Sequence, residues 1–69
     1  MRTPRYQQIA DALRTRILAG EFAIGRLLPS ESGLGAQYDA SRVTVRRALE
    51  QLRDDGLLAS RQGLGWYAS

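Results

Sequence analysis

The stretch from Asp39 to Gly56 constrains the fold of this chain more than any other part of the sequence. Its apolar residues recur at the i, i+3, i+4, i+7 spacing that forms one stripe along an α-helix; they are Val45, Ala48, Leu49 and Leu52. Ser41 can cap the start of such a helix, because its hydroxyl accepts a hydrogen bond from the free N–H groups of the first turn. Gly56 can adopt the left-handed conformation that ends a helix. The pattern therefore predicts an amphipathic helix over about residues 42–54.

The opposite face of this helix is rich in arginine. At about 3.6 residues per turn, the residues that point away from the apolar stripe are Arg42, Val43, Arg46, Arg47 and Glu50. Residues 41–53 hold four arginines and one glutamate. A helix that is buried on one side and carries guanidinium groups near its N-terminal end is suited to the major groove of DNA. We therefore interpret residues 42–54 as a recognition helix.

The composition restricts the class of protein. With 69 residues the chain is long enough for one domain with a small core, and 43% hydrophobic residues is too high for disorder. Cysteine and histidine are both absent, which removes disulfides, thiolate chemistry and the usual general base and metal ligand. We predict no catalytic site, no metal site and no cofactor.

The sequence also favours a cytoplasmic, nucleoid-associated location. No apolar run approaches the length of about 18 residues that a membrane-spanning helix needs, and the N-terminal residues lack the apolar core of a signal peptide. The net charge is +3, and all ten basic residues are arginine. Residues 1–40 contain five arginines and four acids, whereas residues 41–69 contain five arginines and three acids. This distribution favours a polyanionic partner.

Two further helices are predicted upstream. Apolar spacing from Tyr6 to Ile17, followed by Gly20, predicts a first helix over about residues 4–19. Ser30 is suited to cap a short second helix over residues 31–38. Helix two, a short turn and the capped recognition helix together form a helix-turn-helix.

The second helix contains two unfavourable residues, and a short strand precedes it. Gly33 and Gly35 should each weaken the helix by about 1 kcal/mol relative to alanine. Before it, residues 26–28 are predicted to form a short strand, because Pro29 favours an extended conformation in the residue that precedes it.

After Gly56 the periodicity changes from helix to strand. Residues 57–61 and 66–68 are predicted to be strands, and the segment 62–65 between them contains two glycines. Such a segment predicts a β-hairpin. The hairpin would form a wing beside the recognition helix.

Several motifs occur in a specific order: Leu-Pro-Ser-Glu before helix two, Ser-Arg-Val-Thr-Val-Arg-Arg-Ala-Leu in helix three, then Asp-Gly-Leu-Leu and Gly-Leu-Gly-Trp-Tyr. Over residues 6 to 68 this set resembles the N-terminal DNA-binding domain of the GntR family of bacterial transcriptional regulators. The resemblance implies an α+β fold, mainly α: a winged helix-turn-helix of three helices and a small three-stranded antiparallel sheet. Family members usually bind palindromic operators in double-stranded DNA as homodimers.

The resemblance also implies roles for individual residues. Arg42 and Arg46 would contact guanines or nearby phosphates, Val43 and Thr44 would touch bases or backbone, and the wing would reach the minor groove. The expected DNA-binding residues are Ser41, Arg42, Val43, Thr44, Arg46, Arg47, Gln62 and Gly63. Trp66 stands where many relatives have a threonine. We expect residues 1–69 to be a single DNA-binding domain without the family's C-terminal effector or dimerisation domain, so that a small-molecule effector is expected only if such a domain exists.

Other interpretations remain open at this point. The arginines could form a solvated face, with Arg46 paired to Glu50 on the same helix, and Ser41 could act only as a cap. A winged-helix module that binds an acidic protein partner is the main alternative function, and a fragment of an enzyme is a remote third.

Overall fold

Three helices and a two-stranded antiparallel sheet follow one another along the chain in a computed structural model that describes residues 2–69. Met1, which the predicted domain 1–69 includes, lies outside the described residues. The elements are α1 (Arg5–Leu18), α2 (Glu31–Tyr38), α3 (Arg42–Asp54), β1 (Leu58–Arg61) and β2 (Gly65–Ala68). None of the helices within residues 2–69 has the length and apolar character needed to cross a membrane.

Side-chain caps begin α2 and α3 where the sequence predicted them. The Oγ of Ser30 accepts a hydrogen bond from the backbone N–H of Gly33 at 3.0 Å, and the Oγ of Ser41 accepts one from the N–H of Thr44 at 3.2 Å. Gly56, with a φ of 82°, follows the end of α3 in the left-handed region. The predicted bounds of all three helices are confirmed to within a residue or two.

α3 lies at the centre of the core. The four residues of its predicted apolar stripe are completely buried. They pack with Ile9, Ala10 and Leu13 of α1, with Leu34 of α2, and with Leu58 and Ala68 of the sheet. One flank of α3 is therefore fixed by apolar contacts, while the other flank is left exposed to solvent.

The turn between α2 and α3 explains one of the two glycines of α2. Asp39 adopts the left-handed conformation, with a φ of 52°, and Ala40 then folds back so that its N–H donates to the carbonyl oxygen of Gly35 at 2.9 Å. A Cβ on Gly35 would lie only 2.7 Å from the carbonyl oxygen of Ala40. The glycine that lowers the helical propensity of α2 thus permits the close turn that positions α3.

Replacing Gly35 by alanine is expected to destabilise the domain. The added methyl group would force the backbone of the turn to move, and overpacking of this kind costs about 1–3 kcal/mol. Gly33→Ala in the same helix is the matched control: its Cβ would meet the movable Ser30 hydroxyl at 3.3 Å, and the gain in helical propensity of about 1 kcal/mol opposes that contact. Urea unfolding followed by circular dichroism measures both. Equal stability of the two variants would contradict the steric argument.

The sheet differs from the prediction in the number of strands. β1 and β2 pair antiparallel, with Leu58 opposite Ala68, but the predicted third strand over residues 26–28 is reduced to an isolated bridge between Leu27 and Tyr67. The prediction of a three-stranded sheet was wrong in this respect. The segment is short because a turn at Gly25 precedes it and Pro29, which has no N–H to donate, follows it.

The hairpin itself is confirmed, with its loop one residue shorter than predicted. β2 begins at Gly65, so the turn covers residues 62–64. The N–H of Leu64 donates to the carbonyl oxygen of Arg61 at 3.0 Å and closes this turn.

Candidate nucleic-acid interface

An open groove of about 700 Å³ lies between the start of α3 and the hairpin. Arg42 lines it from α3, and the segments 27–32 and 60–66 line the rest. The predicted wing residues Gln62 and Gly63 therefore share a surface with the N-terminal end of the predicted recognition helix. The segment 27–32 includes the first residues of α2, so three elements meet at this groove.

The predicted contact residues of α3 are presented to solvent. The Arg42 side chain is exposed, and Val43 is 75% exposed although it is apolar. Thr44 is half-buried, and its Oγ1 accepts a hydrogen bond from the Ser41 hydroxyl at 2.9 Å. The first turn of α3 thus offers a cation, an aliphatic group and two hydroxyls on one exposed surface.

Arg46 makes an ion pair with α2. Its Nε donates to Oε2 of Glu31 at 3.1 Å, and its Nη2 donates to Oε1 of the same carboxylate at 2.9 Å. The Arg46 side chain is nevertheless 54% exposed, whereas that of Glu31 is 16% exposed. Within residues 2–69 the edge of the guanidinium formed by Nη1 and the second Nη2 hydrogen has no hydrogen-bond partner. This edge can still make a bidentate contact.

Glu31 is held as a charged carboxylate. The hydrogen bonds from Arg46 lower its pKa, burial opposes this, and a hydrogen bond from the Trp66 indole lowers the pKa further. The pKa of the Arg46 guanidinium is raised, chiefly by its hydrogen bonds to Glu31. Arg42 adds a smaller electrostatic effect that also lowers the pKa of Glu31. Both members of the pair therefore carry their charge at neutral pH.

Arg47 lies on a different side of α3 and contacts α1. Its guanidinium carbon lies 4.2 Å from the centroid of the Tyr6 ring, a distance at which a cation–π interaction is favourable. The interaction orients the exposed Arg47 along the α1 side of the surface, away from the groove.

The backbone conformation of the wing leaves its predicted DNA-binding residues open to solvent. Gly63 has a φ of 80°, and a Cβ at this position would meet nothing within 4 Å. Gln62, Gly63 and the neighbouring Arg61 are all exposed. The positive φ makes glycine favourable here, and the open space allows another molecule to approach the backbone closely.

The structure thus brings Arg42, Gln62 and Gly63 to one groove and places Arg47 apart from them. Sequence reasoning missed two members of the site, Glu31 and Trp66. It weighed Glu50, on the same helix, as the partner of Arg46. The hydrogen-bonded partner within residues 2–69 is Glu31, which is distant in sequence. The one indication of this contact in the sequence was Trp66 itself, which stands where many relatives have a threonine.

Comparison with known proteins identifies the family of this chain. The family described as "Bacterial regulatory proteins, gntR family" matches residues 5–68. The chain belongs to the GntR family. The resemblance inferred from the sequence is confirmed, and with it the assignment to a class of DNA-binding transcriptional regulators.

Two GntR relatives and one solved structure illustrate the match. The chain is similar to the mannosyl-D-glycerate transport/metabolism system repressor MngR of Escherichia coli (strain K12), with 50% identity over 93% of this chain and 27% of the relative. It is 38% identical to the histidine utilization repressor of Klebsiella aerogenes over 96% of this chain and 27% of that protein. The structure titled AraR(DBD) in complex with operator ORR3 superposes with a TM-score of 0.93 and 32% identity, covering 100% of this chain and 83% of that chain.

The matches differ in how much of each relative they cover. The chain spans about a quarter of the length of these two curated relatives, 27% in each case. It covers most of the AraR(DBD) chain. The winged-helix fold is therefore confirmed over the length of this chain.

Proposed function

We propose that residues 2–69 bind double-stranded DNA sequence-specifically in transcriptional regulation, with α3 in the major groove and the wing at residues 62–65 against the minor groove. The single observation that carries this proposal is that Arg42 of α3 and Gln62 and Gly63 of the wing line one open groove. The operator complex of AraR(DBD), a similar structure, supports it.

Base recognition is assigned to the N-terminal half of α3. The unoccupied edge of the Arg46 guanidinium has the geometry to donate two hydrogen bonds to O6 and N7 of a guanine. Arg42, one helical turn earlier on the same face, is free to make a similar contact. The exposed Val43 offers methyl groups that fit the methyl of a thymine.

Phosphate contacts are assigned to residues around these. Ser41 lies at the N-terminus of α3, where backbone N–H groups favour an anion. Thr44 is its hydrogen-bonded neighbour. Arg47, oriented by Tyr6, would contact the phosphate backbone on the α1 side. Such contacts set the register of the protein on the duplex, while base contacts supply specificity.

The remaining parts of the proposal concern the complete regulator. We propose a homodimer on a palindromic operator, without catalytic activity and in the bacterial cytoplasm, where the DNA is. The names of the relatives as repressors support regulation of transcription. A small-molecule effector would belong to a C-terminal domain beyond the DNA-binding unit.

Arg46→Ala tests the base-reading assignment. A sequence selected from a random duplex library and a scrambled duplex serve as probes for the unaltered chain and the variant. The variant is expected to lose about 1–3 kcal/mol of binding free energy on the selected duplex. The difference in binding free energy between the selected and the scrambled duplex should therefore become smaller. The measurement is a fluorescence anisotropy titration at fixed salt.

Arg14→Ala is the matched control, because it removes the same charge from α1, where Arg14 pairs with Asp11 and Asp55. It should keep the preference for the selected sequence. If Arg46→Ala leaves the preference intact, the assignment of Arg46 is wrong. If the unaltered chain shows no sequence preference at all, the alternative of a module that binds an acidic protein replaces DNA recognition.

A further inference from the structure

Trp66 connects the wing to the recognition helix through Glu31. The indole Nε1 of Trp66 donates a hydrogen bond to Oε2 of Glu31 at 3.1 Å. The same oxygen accepts from Nε of Arg46, and Oε1 accepts from Nη2 of Arg46. Three donors from two separate elements therefore converge on one carboxylate at the start of α2. Neither Trp66 nor Glu31 belongs to the residues assigned to DNA contact above.

The indole is itself fixed in place. Trp66 lies in β2 opposite Ser60 of β1, and its half-buried side chain packs against the core. The guanidinium carbon of Arg53 lies 5.9 Å from the centroid of the ring, near the outer limit for a cation–π contact. The donor that reaches Glu31 is thus held by the sheet and by the core rather than by a flexible chain.

This third donor changes what the ion pair can do. A half-exposed arginine–carboxylate pair is weak, because water competes for both partners and two long side chains must be ordered. A rigid N–H on the carboxylate restricts its rotation and completes the hydrogen bonding of the shared oxygen. The plane of the carboxylate then fixes the plane of the Arg46 guanidinium, and with it the direction of the free edge.

We propose that Trp66 is a positioning residue of the recognition helix: through Glu31 it fixes the direction of Arg46, so that the return strand of the wing helps to determine which base α3 reads. The inference rests on the proposed function for its effect on DNA, but the positioning itself exists in the free protein. It gives β2 a role that is separate from any contact between the wing and the minor groove.

The first test is made without DNA. Trp66→Phe removes the indole donor while keeping an aromatic, though smaller, side chain at this position. In ¹⁵N-resolved NMR spectra, the Nε–H of Arg46, assigned by its disappearance in Arg46→Lys, should exchange slowly with water in the unaltered chain. In Trp66→Phe it should exchange several-fold faster. Unchanged exchange in Trp66→Phe would overturn the proposal whatever the DNA results are.

The control for this test is Tyr67→Phe, which removes a polar group from the adjacent residue of β2 that takes no part in the contacts of Glu31. Circular dichroism shows whether each variant keeps the fold. If Trp66→Phe unfolds, Glu31→Ala provides the second variant, since it removes both oxygens that accept from Arg46 and Trp66. Slow exchange of the Arg46 Nε–H in a folded Glu31→Ala variant would equally overturn the proposal.

The second test measures specificity. The ratio of affinities for the selected and scrambled duplexes should fall about 5-fold in Trp66→Phe, the effect of one hydrogen bond, and should not change in Tyr67→Phe. In an Arg46→Ala background, Trp66→Phe should cause no further fall, because its effect passes through Arg46. An independent, additive fall would assign Trp66 to a separate contact and overturn the coupling. Failure of the unaltered chain to select any sequence would instead refute the proposed function, and the NMR test alone would then decide the position of Arg46.

Discussion

Leu49→Ala is expected to leave a large fraction of the chain unfolded at room temperature. Leu49 is completely buried in the centre of α3. Deleting its methyl groups should cost about 2–5 kcal/mol, which combines lost burial with the cavity that remains. A single core in a chain of this size rarely supplies more than about 3–5 kcal/mol of stability. The cost of one substitution is therefore comparable with the whole free energy of unfolding, and urea unfolding followed by circular dichroism measures it.

Val43→Ala is the matched control for this prediction. It also deletes methyl groups from α3, but at a position that is 75% exposed. Its stability should stay within about 0.5 kcal/mol of the unaltered chain, as is usual for surface positions. Comparable losses in the two variants would show that the apolar stripe of α3 is not the main support of the fold.

The same helix shows why so much of the fold could be predicted from the sequence. In a small domain each helix has one buried stripe, so the spacing of Val45, Ala48, Leu49 and Leu52 determines which face is left for function. The caps Ser30 and Ser41 and the stop at Gly56 are local features, and the structure confirms each of them. Because this stripe faces the core, Arg42 and Val43 lie on the exposed face of α3. Their exposure could therefore be predicted from the spacing within the helix alone.

The parts that sequence reasoning missed depend on contacts between residues far apart in the chain. The hydrogen bond between Trp66 and Glu31 joins residues 35 positions apart. A contact over such a distance cannot be predicted from helical or strand periodicity. Gly35 was judged only by its helical propensity, whereas its value lies in the approach of Ala40 across the turn. Whether residues 26–28 form a strand or only the observed isolated bridge to β2 likewise depends on how far this segment can follow β2 before Pro29.

Raising the salt concentration is expected to weaken DNA binding steeply. Arg47 and Arg61 are exposed, and if each neutralises one phosphate, log K should fall with log salt at a slope of about −1.8. The affinity for the selected duplex would then drop about 12-fold between about 50 and about 200 mM salt. The physical reason is that each arginine–phosphate contact releases condensed counterions, which more salt makes less favourable. Anisotropy titrations at four or more salt concentrations give the slope.

Arg47→Ala and Arg14→Ala then separate a phosphate contact from net charge, because both remove one positive charge. Arg47→Ala should make the slope shallower by about 0.9 and weaken the selected and scrambled duplexes alike, since a phosphate contact carries no base information. Arg14→Ala should leave the slope unchanged, because Arg14 is engaged with Asp11 and Asp55. Equal changes in slope for both variants would mean that the protein attracts DNA through its overall charge, without the fixed phosphate contact assigned to the Arg47–Tyr6 pair.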